Sequence, residues 1–235
     1  TEMVDIFLDY APPPLNYLPA LYPKLVRLPQ AWGLGYRLSD SDRRVQLINT
    51  STWPYVRRAV RKLVANHPSD LVVSVHPMAN GPVLRALGQD RPRYITVVTD
   101  LVTTHAFWYH QRTDLCIVPT EEAYRRALLL GLTPEQVKVV GLPVADRFCR
   151  PPGNREMLRA HFGWPLDRPI ILLVGGGEGM GPLEKVASIV ASTCPSAALV
   201  IITGRNRILK ARLETLNWPI PTFMYGFVRE MPDFM

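Results

Sequence analysis

The stretch "IILLVGGGEGMGP", residues 170–182, runs five apolar residues into five glycines within seven positions. Ile170 to Val174 is short, β-branched at three positions and stopped by glycine, which predicts a buried parallel strand. Gly175, Gly176, Gly177, Gly179 and Gly181 then predict a tight strand-to-helix turn. Such a turn exposes backbone N–H groups at a helix N-terminus, where aligned peptide dipoles favour an anion, a phosphate first of all. Two familiar phosphate loops fail on spacing. A Walker loop ends in Gly-Lys-Ser/Thr, but here Gly181 is followed by Pro182 and Leu183. The dinucleotide fingerprint needs glycine at its first, third and sixth positions, and the sixth is Met180 counted from Gly175 or Pro182 counted from Gly177. The next apolar run, "ALVIITG" at 198–204, ends in glycine without the acid that would hold a ribose in the usual NAD geometry. The turn is therefore either a phosphate cradle of another kind or a tight structural turn.

Strand and helix alternate outward from it. Toward the C-terminus the pattern predicts a helix over 183–193, a strand over 198–203, a helix over 206–215 and a strand over 222–228. Toward the N-terminus it predicts a helix over 155–162, after a proline-rich basic stretch, "ADRFCRPPGN" (145–154), that reads as an interdomain linker with Pro151 and Pro152 at its centre. Further back come strands over 4–10, 70–76, 93–100, 114–120 and 137–143, and helices over 51–67, 81–88 and 121–131. Residues 16–38 form a proline-broken helical or looping excursion. This is doubly wound α/β sequence. The alternation stops at Met235 with a half-wound sheet, an unexpected place for a domain to end because the last strand leaves an edge.

The 235 residues suit one large or two modest domains, and 47% apolar content is enough for a core. Cys116, Cys149 and Cys194 are far apart and odd in number, which suggests a reducing compartment and no zinc site. No apolar run approaches the roughly 18 residues of a membrane span, so the expectation is a protein in solution or on a membrane surface. The net charge of +7 is concentrated early: residues 1–150 hold 18 Lys/Arg against 13 Asp/Glu, and 151–235 hold 9 against 7. Between 37 and 62, Arg37, Arg43, Arg44, Arg57, Arg58, Arg61 and Lys62 face only Asp40 and Asp42, with Trp32, Tyr36, Trp53 and Tyr55 nearby. Basic side chains mixed with Trp and Tyr suit anionic lipid headgroups, while the plainer alternative is a solvated helix face. No nucleic-acid motif accompanies the charge.

In open α/β sheets ligands sit outside the carboxyl ends of strands. His76, Thr99, Asp100 and the segment "LVTTHAFWYH" (101–110) are then the candidates in the first part. His105 and His110 are not at helical metal spacing and have no third ligand. The aromatics around them either fill the underside of a loop or line a sugar or lipid cleft. Asp100 is a general base in principle.

In this order, "SVHPMANGPVLRAL", "TTHAFWYH", "VVGLPV", "GGGEGMGP", "ITGRN" and "YGFV" resemble the monogalactosyldiacylglycerol synthases and related bacterial diacylglycerol glycosyltransferases, nearly end to end. That family is similar to the lipid-linked N-acetylglucosaminyltransferase of peptidoglycan synthesis. The resemblance implies a GT-B fold of two Rossmann-like doubly wound domains, the second incomplete: an acceptor- and membrane-binding domain over 1–147, a linker over 148–168 and the first part of a UDP-sugar domain over 169–235. It implies inverting transfer of galactose or glucose from UDP-galactose or UDP-glucose to diacylglycerol, at the cytoplasmic surface of a membrane with anionic lipids, without a required metal or cofactor and without nucleic acid. By the same analogy Gly175, Gly176, Gly177, Glu178 and Gly179 meet the donor's diphosphate or sugar at an interdomain cleft. Gly204, Arg205 and Asn206 share that rim, and Gly226 and Phe227 meet the uracil. His76, Pro77, Thr99, Asp100, His105 and Trp108 line the acceptor side, and Arg43, Arg44, Trp53, Arg57 and Arg58 face the membrane. The family's general base is expected upstream of Thr1, and its sugar-gripping Glu segment downstream of Met235. The expectation is that these 235 residues alone transfer little or no sugar. A polyprenyl-linked acceptor, or a non-catalytic lipid- or nucleotide-binding protein, is the alternative.

Overall fold

A computed structural model describes residues 1–25, 29–150 and 153–235, with side chains outside 22–32; the side chain of Trp32 and the pair Pro151 and Pro152 lie outside the described residues. The chain forms two compact units, Thr1–Pro143 and Val144–Met235.

In the first unit, helices α1 (Leu18–Leu25), α2 (Pro29–Ser39) and α3 (Asp42–Asn66) precede a sheet of four parallel strands in sequential order. These are β1 (Leu71–Ser74), β2 (Arg93–Val97), β3 (Leu115–Val118) and β4 (Val137–Val139), with α4 (Asn80–Leu87) between the first two and α5 (Glu121–Leu129) between the last two. Val60, Leu63 and Val64 of α3 pack with Val83 and Leu84 of α4 on Tyr94 of β2. Ala123 and Ala127 of α5 pack on Cys116 and Val118 of β3. Alternation along the strands puts these residues on one buried face, while Leu71 and Val73 on the other are exposed.

Two expectations change here. Residues 4–10 are not a strand: Ile6–Tyr10 makes one wide helical turn, because the Asp5 carboxylate accepts the N–H groups of Phe7 and Leu8 and the Ala11 N–H closes on Ile6 O. Tyr10 is then anchored to the end of α3 by a 2.7 Å bond between its hydroxyl and His67 Nε2. The helix expected at 51 begins at Asp42, where Ser41 caps it by accepting the Arg44 N–H. Pro54 lies inside that helix, where it removes one backbone bond without ending it.

The second unit has three parallel strands in order β5 (Ile170–Val174), β6 (Ala198–Ile202) and β7 (Thr222–Tyr225). Helices α6 (Arg155–Phe162), α7 (Leu183–Thr193), α8 (Arg207–Glu214) and α9 (Met231–Phe234) flank them. The fully buried strand is β6 and not β5, which is an edge strand with Val174 exposed. The cause is position: β6 pairs on both sides, Leu199 and Ile201 pack against Ala187, Ala191 and Leu213, and Val200 and Ile202 pack against Trp164 and Phe234. Burying each such aliphatic side chain contributes about 1.5–3 kcal/mol. Phe162 and Trp164, inside the stretch expected to link two domains, belong to this core.

Candidate functional site

The register of the second unit makes its rim. Val174 pairs with Ile202, and Ile202 with Tyr225, so the three strands end level and their following turns begin at one edge of the sheet. Gly175 N–H extends the ladder to Ile202 O at 3.0 Å, and Met180 N–H returns to Gly175 O at 2.7 Å. What presses closest on the glycines is the neighbouring turn. A Cβ on Gly179, whose φ is +60°, would lie 2.0 Å from Thr203 O; one on Gly204, φ +58°, would lie 2.4 Å from both Gly176 O and Gly177 O. Arg205 N–H donates to Gly177 O at 2.8 Å and Asn206 Nδ2 to Gly179 O at 3.3 Å, while Asn206 Oδ1 caps α8 through the Leu209 N–H. The position of Gly175 is closed by Leu183, and Gly226 borders Gly204 O.

This interlocking leaves the N–H groups of Gly176, Gly177 and Glu178 without a protein acceptor among the described residues. Beside them, Arg205 Nη1 pairs with Glu178 Oε1 at 2.8 Å and its guanidinium lies 4.5 Å from the ring centre of Phe227. All ten residues expected on the donor side are therefore gathered at one rim. A fixed cation, three adjacent amide donors, a carboxylate and an exposed aromatic face suit an anion joined to polar rings.

In the first unit the expected acceptor residues divide. Thr99 and Asp100 are exposed just beyond β2, and Asp100 Oδ2 accepts the indole N–H of Trp108 at 2.7 Å. Asp100 Oδ1 has no protein partner among the described residues. Trp108 itself is only 2% exposed and belongs to the core, so it supports Asp100 from below and does not line a cleft. His105 is likewise buried: Nδ1 accepts the Phe107 N–H at 3.1 Å, which leaves the neutral ring's proton on Nε2, 3.0 Å from Ser39 Oγ. Burial pushes the His105 pKa down, against the opposing pull of Asp40. His76 remains accessible, with Nδ1 accepting from the Met78 N–H, its ring edge-on to Phe7, and Pro77 opening the short helical turn that follows. Desolvation lowers its pKa too.

Along α3, Arg43, Arg44, Arg57 and Arg58 are exposed, as are Leu47 and Tyr55 among them. Trp53 is only half accessible, with the Arg85 guanidinium 4.6 Å over its ring. On α2, Leu34 and Leu38, one helical turn apart, are both 59% exposed. Among the described residues no helix is long and apolar enough to cross a membrane, and no three His, Cys, Asp or Glu side chains gather as a metal site.

Sequence reading missed Asp40 and Arg126. Asp40 Oδ1 accepts the Ala106 N–H at 2.9 Å and pairs with Arg126 Nη2 at 2.5 Å. These partners are 66 and 86 residues from Asp40 in sequence, so no local pattern marks them; the only trace is an acid inside a basic run.

A family model described as "Monogalactosyldiacylglycerol (MGDG) synthase" matches residues 1–144. A probable monogalactosyldiacylglycerol synthase, chloroplastic, of Glycine max is 34% identical over 99% of this chain and 46% of its own length. The chloroplastic monogalactosyldiacylglycerol synthase 1 of Arabidopsis thaliana gives the same figures, and the spinach enzyme is 34% identical over 99% and 47%. This chain spans about half the length of the curated relatives it matches. Among solved structures, Anabaena HepE in complex with UDP-glucose superposes with a TM-score of 0.54 at 15% identity, over 75% of this chain and 53% of that one. Sucrose-phosphate synthase from Thermosynechococcus elongatus superposes with 0.54 at 13%, over 78% and 51%. At these identities the structures speak to the fold alone.

Proposed function

The chain belongs to the monogalactosyldiacylglycerol synthase family, its fold is GT-B, and on that premise we propose that the complete protein transfers galactose or glucose from a UDP-sugar to 1,2-diacylglycerol with inversion. The observation that carries this reading is the rim at the level ends of β5, β6 and β7, where Arg205 stands beside three amide donors without a protein acceptor among the described residues. In a single displacement the acceptor hydroxyl oxygen bonds to the anomeric carbon as the bond from that carbon to the diphosphate oxygen breaks. The electron pair leaves with the diphosphate and the hydroxyl proton passes to a general base. Charge grows on the departing diphosphate, so donors that meet it act most strongly in the transition state. Arg205 and the amides of Gly176, Gly177 and Glu178 take that role. Glu178 then exchanges its ion pair with Arg205 for a polar group of the donor, and Phe227 offers its face to the uracil. In this proposal protein donors take the leaving charge, so EDTA is expected to leave the transfer rate unchanged.

On the acceptor side, Asp100 has one carboxylate oxygen committed to Trp108 and one available to a hydroxyl. The exposed arginines of α3, with Leu34 and Leu38 on α2, support peripheral attachment to an anionic membrane, each positive charge contributing about 1 kcal/mol near the surface. The test is transfer from labelled UDP-galactose and UDP-glucose to diacylglycerol in anionic liposomes by the complete reading frame. Glycolipid product that disappears with Arg205→Ala supports the assignment. No product with either donor, while UDP still binds, overturns it in favour of a nucleotide-binding protein, and product only on a polyprenyl-linked acceptor replaces the lipid.

A further inference from the structure

Four consecutive residues beyond β2 are each held by a side chain from another element. Tyr36 OH donates to Thr103 O at 3.0 Å and Arg126 Nε to Thr104 O at 2.5 Å. His105 Nε2 meets Ser39 Oγ at 3.0 Å, with the Tyr36 ring edge-on to the imidazole at 4.7 Å. Ala106 N–H donates to Asp40 Oδ1. Three of these four partners sit at the corner between α2 and α3, and the fourth, Arg126, is paired to that corner through Asp40. The clamped residues lead directly into the short helical turn Ala106–Trp108, whose Trp108 N–H returns to His105 O, and Trp108 closes back on Asp100 through its indole. Residues 100–108 therefore form a closed loop with the buried Trp108 at one end and an exposed carboxylate at the other.

We propose that Asp40 and Arg126 are positioning residues for the acceptor side: by fixing the backbone of Thr104 and Ala106 they set Trp108, and through its indole the direction in which Asp100 presents its available oxygen. Asp40 suits this task because one carboxylate oxygen meets both an amide and a guanidinium, a geometry that an amide side chain reproduces only in part. The proposal rests on the acceptor role of Asp100 under the function above. It also makes the α2–α3 corner, which carries Leu34 and Leu38 outward, a direct mechanical neighbour of the reacting end of the loop.

The experiment uses the complete protein with Asp40→Ala, Arg126→Lys, Asp100→Asn and the double variant of Asp40→Ala with Asp100→Asn. Misplacement of a reacting group by about an ångström costs on the order of 100-fold. Asp40→Ala is therefore expected to lower kcat/KM for diacylglycerol about 10- to 100-fold with the Kd for UDP unchanged, and to cost little further once Asp100 is Asn, since both act through one carboxylate. A merely structural role would instead make the two losses multiply, or would weaken UDP binding equally, and either result overturns the proposal. So does a wild-type acceptor constant in both Asp40→Ala and Arg126→Lys. Amide exchange of residues 103–108 separates this from failure of the function itself: should the wild type transfer no sugar, faster exchange there in Asp40→Ala with α7 unchanged still supports the clamp, and unchanged exchange rejects it.

Discussion

Gly204 and Gly176 meet backbone to backbone, so close that a Cβ on Gly204 would fall 2.4 Å from Gly176 O. The two turns at the ends of β5 and β6 thus shape each other: the opposite turn holds the loop through Arg205 N–H and Asn206 Nδ2, and among the described residues the amides of Gly176 to Glu178 have no protein acceptor.

Replacing Gly179 with Ala should break that fit. Its φ of +60° and the 2.0 Å approach to Thr203 O leave no room for a methyl group, and the contact is backbone that cannot swing aside. A loss of about 1–3 kcal/mol in stability is expected, with UDP binding weakened at least about tenfold. Thermal unfolding and calorimetric titration with UDP read the two effects; a variant with wild-type values in both would show that the loops can separate freely.

Arg205 is held by Glu178 on one side and the Phe227 ring on the other. Arg205→Lys keeps the charge but loses the planar contact and the fork. UDP affinity should fall about 10-fold or more in Arg205→Ala, corresponding to a charge-assisted bond of about 1.5–3 kcal/mol, and by an intermediate amount in Arg205→Lys. The pair is partly exposed, so the loss should shrink as salt rises. Equal affinities for the three proteins would remove Arg205 from the donor site.

Burial lowers the pKa values of His105 and His110 below the ordinary 6.5. In the unfolded chain these imidazoles take up protons as pH falls through about 6.5, while in the folded unit they stay neutral until a lower pH. The unfolded state therefore binds more protons in that window, and stability falls as pH drops from about 7 toward 5. Melting temperatures at the two ends of this range should differ in that sense, and His105→Gln should lessen the difference. A flat profile would mean that the rings titrate alike in both states.

In the proposed membrane attachment, the exposed arginines of α3 and the Leu34/Leu38 pair on α2 would act through different forces. Arg57→Ala with Arg58→Ala should weaken flotation with anionic vesicles at low salt and have little effect at high salt. Leu38→Glu should weaken it at both, because apolar insertion is not screened. Binding unaffected by either change would place the membrane contact elsewhere.

The amino-acid sequence by itself determined the alternation of strand and helix, and its family resemblance implied the cluster around Arg205. Gly-rich turns directly follow the apolar strands in the sequence, and the parallel register of the folded sheet brings Gly177, Arg205 and Phe227 to one edge. Apolar runs alone could not rank the strands by burial, which depends on how many neighbours pair: β6 is covered on both sides and β5 is not. Nor did they distinguish a strand from the Asp5-capped turn at Ile6–Tyr10, since local hydrogen bonding and not hydrophobic period settles that segment. Only the tertiary structure decided that Trp108 and His105 face inward and that Asp40 reaches Ala106 and Arg126. A side chain's direction and its partner 86 residues away follow from how helices close over a sheet, and no periodicity along the chain encodes that distance.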